Sequence, residues 1–286
     1  MKALFIYQMQ RTDLPPVRMF REKQALEAAG WETAVHEVER AVAPPMGKLF
    51  ARAQHHLTTT KSIVNRLLGT YIQKPDLLVA HDIETLLAAT KVAKEWSVPL
   101  VYDAHEHWPY LIKENSRTEA LIADVLERRL VRDVDHVVTV SKSIAARFTK
   151  FGVPTMVLYN ARPLSDIEPV TPQGRADARD LMNFWEDDFV MGFIGNLDLL
   201  TRHDEPIRMI LRAMLEMPPN VCLLIVGGPL ERAQDIRAMV EDTDIYQRRV
   251  FVQGPWPYKE LGPFYNALDL GLVPLSDIPI HNVSVG

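Results

Sequence analysis

Two clusters of ionisable residues each follow a short apolar run: His81 and Asp82 after Leu77 to Ala80, and Asp103, His105 and Glu106 after Leu100 to Tyr102. Imidazoles and carboxylates are the side chains that move protons, orient hydroxyl groups and balance developing charge. The runs are too brief for helices and suit buried strands. Between them, Ile83, Leu86, Leu87, Ala89, Val92, Ala93 and Trp96 recur at helical spacing, so residues 75–108 read as strand, helix, strand. In an open parallel sheet, ligands sit outside the carboxyl ends of the strands. Both clusters are therefore expected on one rim.

Each residue also has a plainer reading. Asp82 immediately precedes the helix, where Asp is a favoured N-cap. His81 fits a packed rim histidine, and His105 fits a ring that satisfies a strand-end backbone group. His105 and His107 are too close in sequence for a usual metal site, and no further ligands are placed with them, so no metal is expected.

A second set of candidates is glycine-rich. Gly195 and Asn196 follow the apolar run 189–194, Gly227 and Gly228 follow 221–226, and Gly254 follows 249–252. Glycine lets a backbone approach a ligand, and a helix opened by Gly227 and Gly228 would turn its N-terminus toward phosphate. A plain tight turn fits the pair equally well. No complete G-x-G-x-x-G is present, which argues against a nicotinamide dehydrogenase.

A chain of 286 residues with 47% hydrophobic and 24% charged side chains describes an ordinary globular protein of about two domains. No apolar run reaches the ~18 residues of a membrane-spanning helix. MKALFIYQMQRTD lacks the features of a signal peptide. Cys222, the single cysteine, sits in an apolar run and excludes a disulfide within the chain. A cytoplasmic protein is expected. Residues 1–165 carry 22 Lys+Arg against 18 Asp+Glu, a net of +4, and residues 166–286 carry 10 against 19, a net of −9. The halves either face different partners or are simply solvated. Nucleic acid is disfavoured by the overall charge of −5 and the lack of a basic–aromatic platform.

The same alternation runs through the chain. Further strands are expected at 2–7, 31–38, 136–140 and 155–159, with helices at 17–29, 49–71, 119–133 and 141–151. Gly30 ends the first of these helices and Ser141 caps the last. Residues 162–188 are rich in proline and charge, with a short helix at 177–185, and read as an interdomain connection. Strands at 189–194, 221–226, 249–252 and 270–274 then alternate with helices at 206–217, 229–241 and 258–267. The expected fold is α/β: two doubly wound parallel-sheet domains, 1–165 and 189–286, joined by 166–188. The second is expected to be incomplete, because Gly286 lies in a loop just after a strand.

Three pieces in this order resemble the retaining glycosyltransferases of family 4. LERRLVRDVDHVVTVSKSIAARFTKFGVPTMVLYNARP (126–163) is similar to the end of that family's first domain. HDIETLLAATKVAKEWSVPLVYDAHEHW (81–108) resembles its paired strands ending in HD and D-x-HE. RVFVQGPWPYKELGPFYNALDLGLVPLS (249–276) resembles a donor-domain segment, with Gly254, Leu261, Tyr265, Asp269 and Pro274 in the expected places. The resemblance implies a GT-B fold, two Rossmann-like domains facing a cleft. The first would hold the acceptor and the second a nucleotide-diphospho-sugar. It implies sugar transfer to a hydroxyl acceptor with retention of configuration, in cell-surface glycan or glycolipid assembly, without a metal cofactor.

By the same resemblance, His105 would hydrogen-bond the donor sugar and support the transition state, and Glu106 would position the acceptor hydroxyl. His81 and Asp82 would bind the acceptor. Gly195, Asn196, Arg202, Gly227, Gly228 and Gly254 would bind the donor, with Arg202 at its diphosphate. Asn196 stands where some relatives carry arginine, which weakens a two-cation clamp. The family's glutamate pair and its returning final helix would lie beyond Gly286. Two alternatives stay open: a non-catalytic or truncated nucleotide-sugar-binding relative, and a nucleotide-sugar epimerase of the same fold. The basic stretch Lys48, Arg52, His55, His56, Lys61 and Arg66 is either a peripheral contact with the inner membrane face, serving a lipid-linked acceptor, or a solvated helix face.

Overall fold

The computed structural model describes residues 1–8, 17–38, 49–71, 73–113, 116–160, 169–197, 204–241 and 248–274. The chain divides into two compact units, Met1–Asn160 and Ala161–Asp277.

In the first unit the elements are β1 (Lys2–Gln8), α1 (Val17–Ala28), β2 (Glu32–Val38), α2 (Leu49–Thr70), β3 (Leu77–His81), α3 (Asp82–Trp96), β4 (Leu100–Ala104), α4 (Trp108–Lys113), α5 (Arg117–Leu130), β5 (His136–Thr139), α6 (Lys142–Lys150) and β6 (Thr155–Val157). The strands form one parallel sheet in the order β2-β1-β3-β4-β5-β6. Strands buried on both faces read as continuous apolar runs rather than alternating ones, and LFIY, LLVA and LVY are such runs. On one face Leu4, Ile6, Leu78, Leu100 and Tyr102 pack with Leu86, Val92 and Trp96 of α3 and Ile144 and Phe148 of α6. On the other, Ala3, Phe5 and Val79 pack under Met19 of α1. α2 seats Ile63 and Leu67 in the first of these cores and leaves Leu57 exposed. As expected from the sequence, Ser141 caps α6, accepting a hydrogen bond from the Ile144 N–H at 3.2 Å.

The second unit contains α7 (Pro172–Leu181), β7 (Phe189–Asn196), α8 (Asp204–Ala213), β8 (Val221–Gly228), α9 (Leu230–Glu241), β9 (Val250–Gln253), α10 (Gly262–Ala267) and β10 (Leu270–Gly271). Its parallel strands run β10-β7-β8-β9. Helices cover both faces, so Leu223 and Ile225 pack toward one side while Cys222, Leu224 and Val226 pack toward the other. Cys222 is fully buried, and burial pushes its thiol up to about 11.

The structure departs from the sequence reading in several places, among them the strand expected at 270–274, which spans only Leu270–Gly271, and the helix expected at 258–267, whose α-helical part is Gly262–Ala267. α4 follows directly after the second ionisable cluster and was not foreseen. The helix expected at 177–185 lies at Pro172–Leu181, because Pro172 occupies its first turn and the Thr171 hydroxyl accepts from the Gly174 N–H at 3.0 Å. That helix lies within the stretch read as a connection, yet Ala178 and Met182 belong to the core of the second unit. Arg179, 6% exposed, donates to Asp269 Oδ2 at 2.6 Å, and the Val190 N–H donates to the same oxygen at 2.7 Å. The start of β7, the first strand of the second sheet, is thus anchored by residues from both ends of the unit. None of the described helices is long and apolar enough to cross a membrane.

Candidate active site

In the first sheet, strand order reverses between β1 and β3. The ionisable residues lie at the carboxyl ends of β3, which borders the reversal, and of β4 beside it, on the rim where open α/β sheets bind ligands. Register sets His81 of β3 directly beside Asp103 of β4. Helix α1 brings Arg18 and Glu22, one turn apart, against the same strand ends.

Asp103 is the hub. It is 0% exposed and receives Arg18 Nε at 3.0 Å on Oδ2 and Arg18 Nη2 at 2.9 Å on Oδ1. His105 Nε2 lies 2.5 Å from Oδ2, and His81 Nδ1 lies 3.1 Å from it. Arg18 Nη1 also donates to the Leu158 carbonyl at 2.6 Å and Asn160 Oδ1 at 3.1 Å, beyond β6. Glu22 Oε1 lies 3.2 Å from Arg18 Nε, and Glu22 Oε2 lies 3.7 Å from His81 Nε2. Burial alone would raise the Asp103 carboxyl. The hydrogen bonds from His105, His81 and Arg18 outweigh it and hold the group well below the usual carboxylate range.

The neighbours move the other way. Burial, reinforced by the Asp103 charge, pushes Glu22 up to about 8. Burial would lower His105, but the Asp103 hydrogen bond and the charges of Asp82 and Asp103 push the ring up to about 9. Glu106 is pushed up to about 7, first by burial and then by Asp82. A carboxyl that titrates near neutrality is suited to accept and return a proton.

The structure distinguishes among the residues that the sequence singled out. His81 is only 3% exposed and spends Nδ1 on Asp103, so it lies beneath the surface that His105 and Asp82 share. Asp82 does not cap α3. It is the first helical residue, with φ of 62°, and His81 takes the cap position without a side-chain bond. Instead its carboxylate reaches across to the β4 loop, accepting long contacts from the His105 N–H and Trp108 Nε1, both at 3.4 Å. His107 turns away, stacked on Tyr110 with ring centroids 3.9 Å apart. Burial, then the Arg147 charge, pulls His107 down to about 4.

Single donor atoms of His81, Asp103 and His105 lie within 4.8 Å of one another, a grouping that sequence spacing did not reveal and one with metal-ligand chemistry. Arg18 already hydrogen-bonds both Asp103 oxygens.

Register also unites the glycines of the second unit, since Gly195 pairs with Gly227 and Asn196 with Gly228 at the carboxyl ends of β7 and β8. A Cβ at Gly227 would overlap the backbone oxygen of Gly195, so only glycine fits there. Gly227 and Gly228 are strand residues rather than a helix-opening turn, because the β7–β8 ladder runs through both and α9 begins at Leu230. Gly254 follows β9, where a Cβ would press on the Leu230 side chain. Arg202 lies outside the described residues.

Arg18 and Glu22 escaped the sequence reading, and Asp103 was noted there without a role. In sequence, α1 looks like any solvated charged helix, and only folding brings it 85 residues forward onto β4.

Comparisons with known proteins bear on the family and the fold. A family model described as a glycosyl transferase 4-like domain matches residues 17–161, slightly more than half of the chain. The D-inositol 3-phosphate glycosyltransferase of Mycobacteroides abscessus is 28% identical over 194 residues, covering 63% of this chain and 41% of the relative. That of Thermobifida fusca is 26% identical over 243 residues, covering 80% and 51%. The chain thus spans about half the length of these curated relatives. Among solved structures, sucrose-phosphate synthase from Thermosynechococcus elongatus superposes with a TM-score of 0.69 at 17% identity, covering 97% of this chain and 76% of that one. Anabaena Alr3699/HepE, in complex with UDP and glucose, gives 0.59 at 19% identity, covering 95% and 73%. The fold is GT-B. Since the family match begins one residue before Arg18 and ends one residue after Asn160, it encloses the whole charged cluster, and the chain belongs to the glycosyl transferase 4-like family.

Proposed function

We propose that this chain serves a glycosyltransferase that moves a sugar from a nucleotide-diphospho-sugar to a hydroxyl acceptor with retention of configuration, in cell-surface glycan or glycolipid assembly. The observation that carries the reading is the coincidence of the family match with the buried Arg18–Asp103–His105 cluster at the strand ends. Retention is assigned on the resemblance of the HD and D-x-HE strand ends to family 4. In this reading His105 and Glu106 work at the reacting centre, and Asp82 meets the acceptor. The second unit takes the donor. Gly195, Gly227 and Gly254, at or just past the carboxyl ends of β7, β8 and β9, are assigned to its phosphates through their backbone, and Arg202 supplies the cation that stabilises the leaving diphosphate. We infer no resident metal, because Arg18 is already paired with Asp103. The basic residues His55, His56, Lys61 and Arg66 of α2 are assigned to the inner membrane face, where a lipid-linked acceptor would be met.

The test is a thermal-shift panel with UDP, GDP, ADP and CDP, on the chain and on Arg202→Ala. UDP leads because Anabaena Alr3699/HepE was seen with it. A ligand at 100 times its dissociation constant adds about 2.7 kcal/mol. One nucleotide should stabilise the chain, and Arg202→Ala should abolish the shift. No stabilisation by any of the four overturns the donor assignment for this chain. Transfer to D-inositol 3-phosphate, for which the matched relatives are named, is the accompanying acceptor assay, run with and without EDTA.

A further inference from the structure

His105 has a carboxylate at each ring nitrogen. Its Nε2 lies 2.5 Å from Asp103 Oδ2, and its Nδ1 lies 3.5 Å from Asp82 Oδ2. A neutral imidazole carries one N–H and presents a lone pair at the other nitrogen. In the neutral ring one nitrogen would carry its lone pair within 3.5 Å of a negative oxygen, and the doubly protonated ring instead sets a positive charge between the two carboxylates.

The surroundings keep that proton on the ring. Asp103 is the obvious place for it to go, but His81 Nδ1 and the Arg18 guanidinium, which reaches both carboxylate oxygens, already favour its ionised form. The groups facing the ring are Arg18 and Glu22 from α1, His81 from β3, Asp82 from α3, Asp103 from β4 and Glu106 from the loop beyond. With Glu22 and Glu106 uncharged, Arg18 and a protonated His105 balance Asp103 and Asp82, and Glu106 on ionising adds a further negative charge that favours the charged ring. Removing the His105 proton would leave two carboxylates against one guanidinium, largely out of water. Nε2 is committed to Asp103. Nδ1 makes no hydrogen bond among the described residues, and the side chain is 19% exposed.

We propose that His105 works as a standing imidazolium, positioned by Asp103 and by the Arg18 that keeps Asp103 ionised, and that it offers Nδ1–H as a charged donor to a substrate oxygen without taking up a proton in the reaction. The identity of that oxygen, on the acceptor or on the donor sugar, rests on the glycosyl-transfer reading; the charge of the ring does not.

The experiment uses the full chain labelled with 13C- and 15N-histidine. Ring shifts are followed from pH 5 to pH 10, and His105→Gln identifies the resonance. The ring should remain in its charged form through pH 8 and titrate near 9. Asp103→Asn should bring the midpoint down by about two pH units, the scale on which a close opposite charge acts. Asp103→Glu should restore part of the loss. A ring that is neutral at pH 7.5 in the unmodified chain, or a midpoint unmoved by Asp103→Asn, overturns the proposal. Should Asp103→Asn fail to fold, Asp82→Asn takes its place. It removes the carboxylate at Nδ1, and an unmoved midpoint is again decisive against. Because the readout is the ring itself, a chain that fails to transfer sugar still reports on this inference. Failure of the transfer assay bears only on the proposed function.

Discussion

The Arg18 guanidinium and the Asp103 carboxylate, 85 residues apart, form a forked pair in which Nε lies 3.1 and 3.0 Å from the two oxygens and Nη2 lies 2.9 Å from Oδ1. Asp103 is fully buried, and the Arg18 side chain is 10% exposed. Removing one member of such a pair strands the other charge, at a typical cost of about 3–5 kcal/mol. Arg18→Met is expected to lower the denaturant stability of the first unit by about 3 kcal/mol. Arg18→Lys should recover part of it, because a point charge cannot reproduce the fork. A loss below about 1 kcal/mol for Arg18→Met would mean that the cluster does not depend on this pair.

Glu22 gives that cluster a pH signature. Its folded value, about 8, stands above the ordinary 4.5. Folding therefore favours the protonated carboxyl. The associated stability is complete below about pH 4.5 and is lost progressively as pH rises through about 8. Glu22→Gln has no proton to lose. Wild type and variant should be close in stability at pH 5, and the variant should be ahead at pH 8.5. Urea titrations at the two pH values decide it, and parallel pH profiles would show that Glu22 is ionised in the folded protein.

Why this cluster was only half legible in sequence is a matter of range. The β3–α3–β4 unit announces itself locally, through apolar runs and a helical period, and so do His81, Asp82, His105 and Glu106 at its ends. Which of them is buried depends on register and on α1, and neither leaves a local trace. Arg18 and Glu22 look like solvated helix charges until α1 packs against β4. The six-residue α4 is too short to show a period. Gly227 was noticed as one of a pair. The reason for it, the backbone of Gly195 on the neighbouring strand, is tertiary.

Gly227→Ala tests that close approach. The new methyl has no rotamer with which to escape a backbone oxygen, so β7 and β8 must separate. Overpacking of this kind costs about 1–3 kcal/mol or more. The second unit should lose stability, and any nucleotide-dependent thermal shift should shrink with it. Gly271→Ala, where a Cβ meets open space, is the control and should be nearly silent. Equal behaviour of the two variants would contradict the packing at β7–β8.

Asp269 joins α7 to the sheet by accepting from Arg175, Arg179 and the Val190 N–H. Asp269→Ala leaves Arg179 buried without its charge partner and the Val190 N–H without an acceptor. The expected loss is about 3 kcal/mol or more in the second unit. Asp269→Asn retains an acceptor oxygen and should lose less. Limited proteolysis offers an independent reading, with cleavage around residues 169–185 accelerated in the alanine variant. If α7 were a mere connection, neither variant would change cleavage there.

Asp82 adopts a positive φ of 62° at the start of α3, a conformation that glycine enters freely and that Asp and Asn tolerate better than most residues. Strain of this kind costs about 1–3 kcal/mol and gathers at functional sites. The Asp82 side chain returns little of it, since its contacts to Trp108 Nε1 and the His105 N–H are both long, at 3.4 Å. Stability and activity should therefore separate here. Asp82→Gly relieves the backbone and should be as stable as wild type or slightly more so. Asp82→Ala keeps the strain without the polar contacts and should fall below the glycine variant by about 1 kcal/mol. Both remove the carboxylate beside His105 Nδ1, so both should lose sugar transfer to a similar degree. Thermal denaturation ranks the pair. If alanine and glycine unfold at the same temperature, the backbone at this position carries no strain. Activity that survives in the glycine variant would remove Asp82 from the acceptor site.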